Sequence, residues 1–186
     1  MNIPTEERCI ELVEKYLPDN LQRHTRQVKD LAVSVGNELV ENGTYVNIEL
    51  LEKAAWLHDL FKPCDYGDEE TCRELGTMLP DDVDGKRHAE LAYLAFKDDY
   101  PELAKVIKKH AFREILKGFD SIEEKILYYA DKRVMHDRVV SLKERLDELH
   151  KRYNNTETLS EQKLNEIRRM IFALEKELFQ KMKRGE

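Results

Sequence analysis

The apolar residues of this chain recur at intervals of three and four, and this period restricts the fold more than any other feature of the sequence. In the segment RHTRQVKDLAVSVGNEL the apolar stripe consists of Val28, Leu31, Ala32, Val35 and Leu39. Such spacing is typical of one face of an α-helix, whereas a half-buried strand would alternate. Only seven glycines and five prolines interrupt 186 residues. The sequence therefore predicts an all-α protein, and no segment predicts a strand convincingly.

Capping residues and breakers place the predicted helices. Pro4 suits a first helical turn, Gly43 a C-terminal cap, and Asn47 an N-terminal cap, while Ser121 and Glu124 have the spacing of a capping box. The predicted helices run at about 4–17, 20–42, from Asn47 through His58, at 86–99 and 101–112, from Ser121 through Asp131, and in two long segments after Asp137 with a polar break near 153–156.

The segment Pro63–Gly85 contains eight carboxylates and one arginine. We expect it to be a solvated connection with at most a short helix; the alternative is a lid that binds a cationic or neutral part of a ligand.

Composition indicates a soluble globular protein and excludes several classes. The net charge of −7 disfavours general nucleic-acid binding. No apolar run of membrane-spanning length occurs, and MNIPTEERCIELVEKYL carries charges where a signal peptide needs an apolar core, so we expect no membrane insertion and a cytoplasmic location. Cys9, Cys64 and Cys72 match no zinc motif and are expected to be free thiols.

Four ligand-type residues occupy apolar helical segments. His58 and Asp59 are adjacent in AAWLHDLFKP, His24 precedes Val28 by one helical turn, and Asp131 follows Leu127 by four residues. A single histidine on an apolar face is usually an ordinary core residue. A buried carboxylate, however, must be paired, hydrogen-bonded or bound to a cation. Three helices therefore each direct a ligand-type group toward the interior, where a bound metal ion would satisfy the carboxylate.

The order His24, His58-Asp59, Asp131 resembles the signature of the HD-domain metal-dependent phosphohydrolases. The resemblance covers roughly residues 20–140 and implies an all-α HD-domain helical bundle. Within that superfamily the histidines and aspartates are most similar to bacterial diadenosine tetraphosphate hydrolases, although ADKRVMHDR stands where those enzymes have ADYIEP. The GYP element of cyclic-di-GMP phosphodiesterases is absent.

Two further histidines resemble the additional ligands of two-metal HD proteins. His88 begins HAELAYLAF and His110 ends ELAKVIKKH. The resemblance implies one metal held by His24, His58, Asp59 and Asp131, and a second, bridged by Asp59, held by His88 and His110. The alternative is a single metal ion. In that case His88 and His110 bind no metal and simply lie near helix termini, where an imidazolium is favourable. His136 and His150 do not fit the pattern and are expected at the surface.

Imidazole and carboxylate ligands without thiolate suit iron, manganese, cobalt, nickel or zinc. One or two such ions would activate water and neutralise phosphoryl charge. We assign the catalytic roles to Asp59 and Lys62, which follows it by three residues, as in the lysine that often ends the family's HD motif. Arg23, Arg26 and Arg133 flank the ligands and are candidates for binding substrate phosphate; the alternative is solvated surface charge.

The predicted function is hydrolysis of a phosphoester or phosphoanhydride in a nucleotide or related small molecule by metal-activated water. The alternative is a nucleotide-sensing or scaffold protein that keeps the metal site without turnover. Residues 1–140 form the predicted catalytic core and 141–186 a C-terminal helical hairpin. The apolar stripes of that hairpin are expected to pack together or on the core, or else to form a homodimer interface: Leu142, Leu146, Leu149, Leu164, Ile167, Ile171, Leu174 and Leu178.

Overall fold

Ten α-helices and one short β-hairpin make up the part of the chain described by the computed structural model, residues 3–153 and 159–183. The elements are α1 Glu6–Tyr16, α2 Asp19–Glu41, α3 Ile48–Leu57, α4 Lys62–Asp65, α5 Glu69–Gly76, α6 His88–Phe96, α7 Pro101–Lys108, a 3₁₀ turn at Glu114–Lys117, α8 Ile122–Arg133, β1 Val134–Met135, β2 Arg138–Val139, α9 Leu142–Tyr153 and α10 Glu161–Met182. The all-α prediction is confirmed.

Side-chain caps fix several of the helix starts. Thr5 Oγ1 accepts a hydrogen bond from the backbone of Arg8, Asn47 Oδ1 from that of Leu50, and Ser121 Oγ from that of Glu124. Each cap satisfies a backbone N–H that lacks a partner within its own helix. The capping predictions for α3 and α8 are therefore confirmed.

Helix α2 lies at the centre of the fold and contacts α3, α8 and α10. Its stripe residues Val28, Ala32 and Leu39 are fully buried. Gly36 permits the close approach of α3, because a Cβ atom there would lie 2.8 Å from Ile48 Cδ1. This packing fixes the relative positions of the helices that carry the predicted metal ligands.

A two-stranded antiparallel hairpin pairs Val134 with Val139 and Met135 with Arg138, so the prediction of no strand is wrong here. The chain must reverse direction between α8 and α9, and His136 at the turn has φ 58°. A hydrogen bond from Val140 N to Arg133 O joins the end of the hairpin to the end of α8. Two-residue strands leave no alternating pattern to detect.

The acidic segment is more structured than a solvated connection. It contains α4 and α5, and Leu75 is completely buried. Cys64 and Cys72 form a disulfide across these two helices, with Cα atoms 5.3 Å apart, so the expectation of free thiols is wrong for this pair. A spacing of eight residues carries no pairing signal until the helices are placed. Cys9 is free and buried, as expected of a thiol in the core.

The C-terminal helices pack on the chain's own core. Helix α10 contacts α2, α8 and α9, and the predicted stripe residues of α9 and α10 are all buried. Lys125 Nζ on α8 also pairs with Glu177 Oε1 on α10 at 2.7 Å. The predicted break at 153–156 lies mostly outside the described residues, and the division at residue 140 stays a prediction. Across residues 3–153 and 159–183, the structure holds no helix long and apolar enough for a membrane span.

Candidate metal centre

All six predicted ligands converge on one buried site. Helix α2 contributes His24 and α8 contributes Asp131, while His88 is the first residue of α6. Helix α3 ends one residue before His58, which serves as its C-cap, so His58 and Asp59 lie just past the helix rather than within it. His110 lies two residues beyond the end of α7, whose C-cap is Lys109. The site is therefore assembled largely at helix ends.

The first group of ligand atoms comes from His24, His58 and Asp131, and these atoms lie within 4.8 Å of one another. Asp131 Oδ1 is 3.3 Å from His24 Nε2 and 3.9 Å from His58 Nε2. All three residues are buried. Two imidazole nitrogens and a carboxylate oxygen at this spacing could hold one transition-metal ion.

The second group comes from Asp59, His88 and His110, again within 4.8 Å. Asp59 Oδ1 lies 3.2 Å from His88 Nε2 and 3.5 Å from His110 Nε2. The other oxygen, Oδ2, lies 3.7 Å from His58 Nε2 and 3.9 Å from His24 Nε2. Asp59 therefore has one carboxylate oxygen toward each group, the arrangement required of a bridging ligand.

The other nitrogen of each ring sets the tautomer. The Nδ1 atoms of His24, His58 and His110 lie 2.8, 2.7 and 2.5 Å from the carbonyl oxygens of His136, Ala55 and Ile107. A carbonyl only accepts, so each Nδ1 carries a proton and donates it. In the neutral rings each Nε2 is then left with a lone pair for a metal.

His88 is oriented by a carboxylate instead of a carbonyl. Its Nδ1 donates to Asp65 Oδ2 at 2.6 Å, and its backbone N donates to Asp65 Oδ1 at 3.2 Å. Asp65 stands just outside the ligand set, at the end of α4. The sequence-based prediction missed this residue, because only the folded position of α4 brings it to His88.

Several site atoms need a cation to be satisfied. Within the described residues, His58 Nε2 and Asp59 Oδ1 are buried and have no hydrogen-bond partner. His88 Nε2 and His110 Nε2 lie 3.0 Å apart, where two lone pairs would repel unless a proton or a metal ion lay between them. Unpartnered buried polar atoms are costly. The residues present therefore fit a metal centre.

The electrostatics keep most ligands in their binding form. Burial would raise the pKa of Asp59, but Lys62 and the surrounding histidines hold it well below its usual value, so the carboxylate stays ionised. Burial lowers the pKa of His58 to about 4 and also lowers that of His110, which keeps both rings neutral. His24 is shifted the other way: burial opposes protonation, but hydrogen bonding to Asp131 raises its pKa.

The predicted cationic residues are only partly brought to the site. Lys62 Nζ lies 3.6 Å from Asp59 Oδ1 and 3.4 Å from His88 Nε2. Arg23 lines the adjoining cavity, where its Nε pairs with Asp137 at 3.2 Å. Arg26 instead lies over the Trp56 ring, 5.7 Å from its centroid.

Arg133 is not brought to the cavity either. Its Nε donates to Val140 O at 2.7 Å, and its Nη1 contacts Tyr129 and Glu175. Since a guanidinium committed to these partners faces α10, the structure does not support a phosphate-binding role for Arg133 or for Arg26.

A cavity of about 310 Å³ opens next to the ligands. Apolar and aromatic side chains of its wall include Leu21, Tyr66, Phe112 and Leu149. Arg145, from α9, also lines it and was not predicted.

His136 and His150 were predicted to lie at the surface. The prediction holds for the exposed side chain of His136 but not fully for His150, which is half-buried.

Lys132 was also missed as a site residue. Although it is charged and adjacent to Asp131, it is buried, contacts that carboxylate, and donates to His110 O at 3.0 Å. Lys132 therefore ties α8 to the segment that carries His110.

The family model described as HD domain matches residues 21–136, which contain all six predicted ligands. No curated protein and no solved structure matches the chain.

Proposed function

The chain belongs to the HD-domain family, a family generally of metal-dependent phosphohydrolases, and on this basis we propose that it hydrolyses a phosphoester or phosphoanhydride bond in a small phosphorylated molecule, such as a nucleotide. The observation that carries the proposal is the pair of three-ligand groups joined by Asp59. The oxygens of this one carboxylate lie toward both groups, which favours two ions over one.

His24, His58 and Asp131 would hold one ion, His88 and His110 the other, and Asp59 would lie between them. Iron, manganese, cobalt, nickel or zinc suits this set of four imidazoles and two carboxylates. When bound, such ions lower the pKa of water toward neutrality and supply positive charge that stabilises the phosphoryl oxygens.

Lys62 is placed to bind a substrate phosphate oxygen. Burial would lower its pKa, but Asp59 and neighbouring carboxylates raise it, so the ammonium stays protonated and can donate. Its side chain is 25% exposed, which leaves part of it open to the cavity. An ammonium there would orient the phosphate and neutralise charge without itself binding metal.

The size and the lining of the cavity support a small-molecule substrate. Its volume of about 310 Å³ is at the lower end of the usual range for ligand pockets. Tyr66 at its edge is 66% exposed and offers an aromatic face on which a nucleobase could stack.

The proposal is tested by purifying the protein without chelator, measuring its metal content, and assaying phosphate release from a panel of nucleotides and phosphoesters with added manganese, iron, cobalt or nickel. We expect bound metal and turnover in the wild type, and neither in Asp59→Ala. The control is Asp98→Ala, which removes an exposed carboxyl side chain. Bound metal without turnover of any substrate would contradict hydrolysis and favour a sensing role.

A further inference from the structure

Arg145 lies on the buried stripe of α9, a position usually held by an apolar residue. It is separated by three residues from Leu142 and by four from Leu149, both of which are buried. Only 12% of the Arg145 side chain is exposed. Because a guanidinium is seldom buried without partners, its placement on this stripe calls for an acceptor.

The acceptors in the structure satisfy only part of the side chain. Arg145 Nη1 contacts Glu148 Oε2, three residues along the same helix. Arg145 Nε, by contrast, is buried and has no hydrogen-bond partner among the residues that the structure describes. Since Arg145 also lines the cavity beside the metal ligands, a ligand in that cavity can reach it.

Besides Lys62, which we assign to the phosphate that is cleaved, two other cations that line the cavity are already engaged. Lys132 Nζ bonds to Asp131 and to His110 O. Arg23 pairs with Asp137 and is 59% exposed. Arg145 therefore differs from both in combining deep burial with an unsatisfied donor. The planar fork of a guanidinium matches the oxygens of a phosphate or carboxylate.

We infer that Arg145 binds a second anionic group of the substrate, one that is not cleaved, and so makes the site selective for molecules with two separated anions. This inference rests on the proposed function. Helix α9 lies beyond residues 21–136, so the selecting charge comes from outside the matched domain. Leu142, Leu146 and Leu149 hold α9 against the fold and thereby fix the guanidinium at the cavity wall.

The test uses the full chain loaded with manganese and measures binding by calorimetry for two matched probes, adenosine 5′-monophosphate and adenosine 3′,5′-bisphosphate. We expect the wild type to bind the bisphosphate about tenfold to one hundredfold more tightly, the range for a hydrogen bond to a charged group. Arg145→Met should abolish that preference. Arg145→Lys, which keeps the charge but lacks the planar fork, should keep only part of it.

The matched control is Lys143→Met, which removes one positive charge from the solvent side of the same helix, where the Lys143 side chain is 77% exposed. It should retain the wild-type preference, and circular dichroism should show equal helical content in all variants. If Arg145→Met does not fold, Arg145→Lys decides the matter. Equal affinity of the wild type for both probes, or an unchanged preference in the Arg145 variants, would overturn the inference.

Failure of the proposed function would appear separately. The metal-loaded wild type would then release no phosphate from any ester, while the preference for the bisphosphate could still be measured.

Discussion

Replacing Asp65 with alanine should weaken the second group of ligands while leaving the first intact. Asp65 makes two hydrogen bonds to His88, at 2.6 Å to the ring and 3.2 Å to the backbone, and its side chain is only 7% exposed. Loss of such an orienting partner usually lowers metal affinity about tenfold to one hundredfold. Because both the ring and the start of α6 lose their anchor, we expect the upper part of that range, about thirtyfold to one hundredfold, or roughly 2 to 2.7 kcal/mol.

The assay is a metal titration of the apoprotein with manganese, followed by calorimetry and by elemental analysis after desalting. The wild type should show two sites, and Asp65→Ala should show one site of unchanged affinity and one weakened site. Asp65→Asn retains an acceptor without the charge and should lie between the two, since charge-assisted hydrogen bonds are about twice as strong as neutral ones. Asp81→Ala, an exposed carboxylate of the same segment, is the control for charge loss.

Two results would contradict an orienting role for Asp65. Equal titrations for Asp65→Ala and the wild type would mean that the Asp65–His88 contact does not orient a ligand. The positions of the two Asp59 oxygens require two separate groups of ligands. Loss of both sites together would contradict that separation.

Three further predictions concern phosphate binding, acid stability and association. Lys62→Ala should lower kcat/KM about tenfold or more without changing metal content, because it removes a charged donor to phosphate; unchanged kcat/KM would return Lys62 to a surface role. The folded pKa of His58, about 4, lies below its unfolded value of 6.5, so its contribution to the stability of the apoprotein is present above pH 6.5 and is lost as pH falls toward 4. Between pH 7.5 and 5, urea unfolding should therefore show the wild type losing about 2 kcal/mol more than His58→Gln, and equal losses would contradict this. A homodimer through the C-terminal helices should use Phe172 and Phe179, which are 38% and 41% exposed. Light scattering should then show a dimeric wild type and a monomeric variant with both phenylalanines replaced by serine. A monomeric wild type would contradict the homodimer.

The sequence was sufficient for the fold class and for a set of candidate metal ligands, since both leave a local signal. A helical stripe repeats every three or four residues, and a histidine such as His24 or a carboxylate such as Asp131 stands out on it. Helical phase therefore singled out His24 and Asp131. His88 and His110 were predicted from the resemblance to two-metal HD proteins, and His58, Asp59 and His110 lie past the ends of their helices.

What the sequence could not supply depends on packing between distant segments. Asp65 lies in an acidic stretch where eight carboxylates look alike, and only its contact with His88 distinguishes it. In the sequence Arg145 is one of many charged residues of α9, and only the folded structure shows that it lines the cavity. Arg133 is close to Asp131 in sequence, but its guanidinium bonds to Val140, Tyr129 and Glu175 instead of lining the cavity.

The most direct test of the two-metal account is anomalous diffraction from crystals of the manganese-loaded protein. Two bound ions should give two peaks per chain, one among His24, His58 and Asp131 and one beside His88 and His110, with Asp59 between them. A single peak, or a second peak away from Asp59, would contradict it.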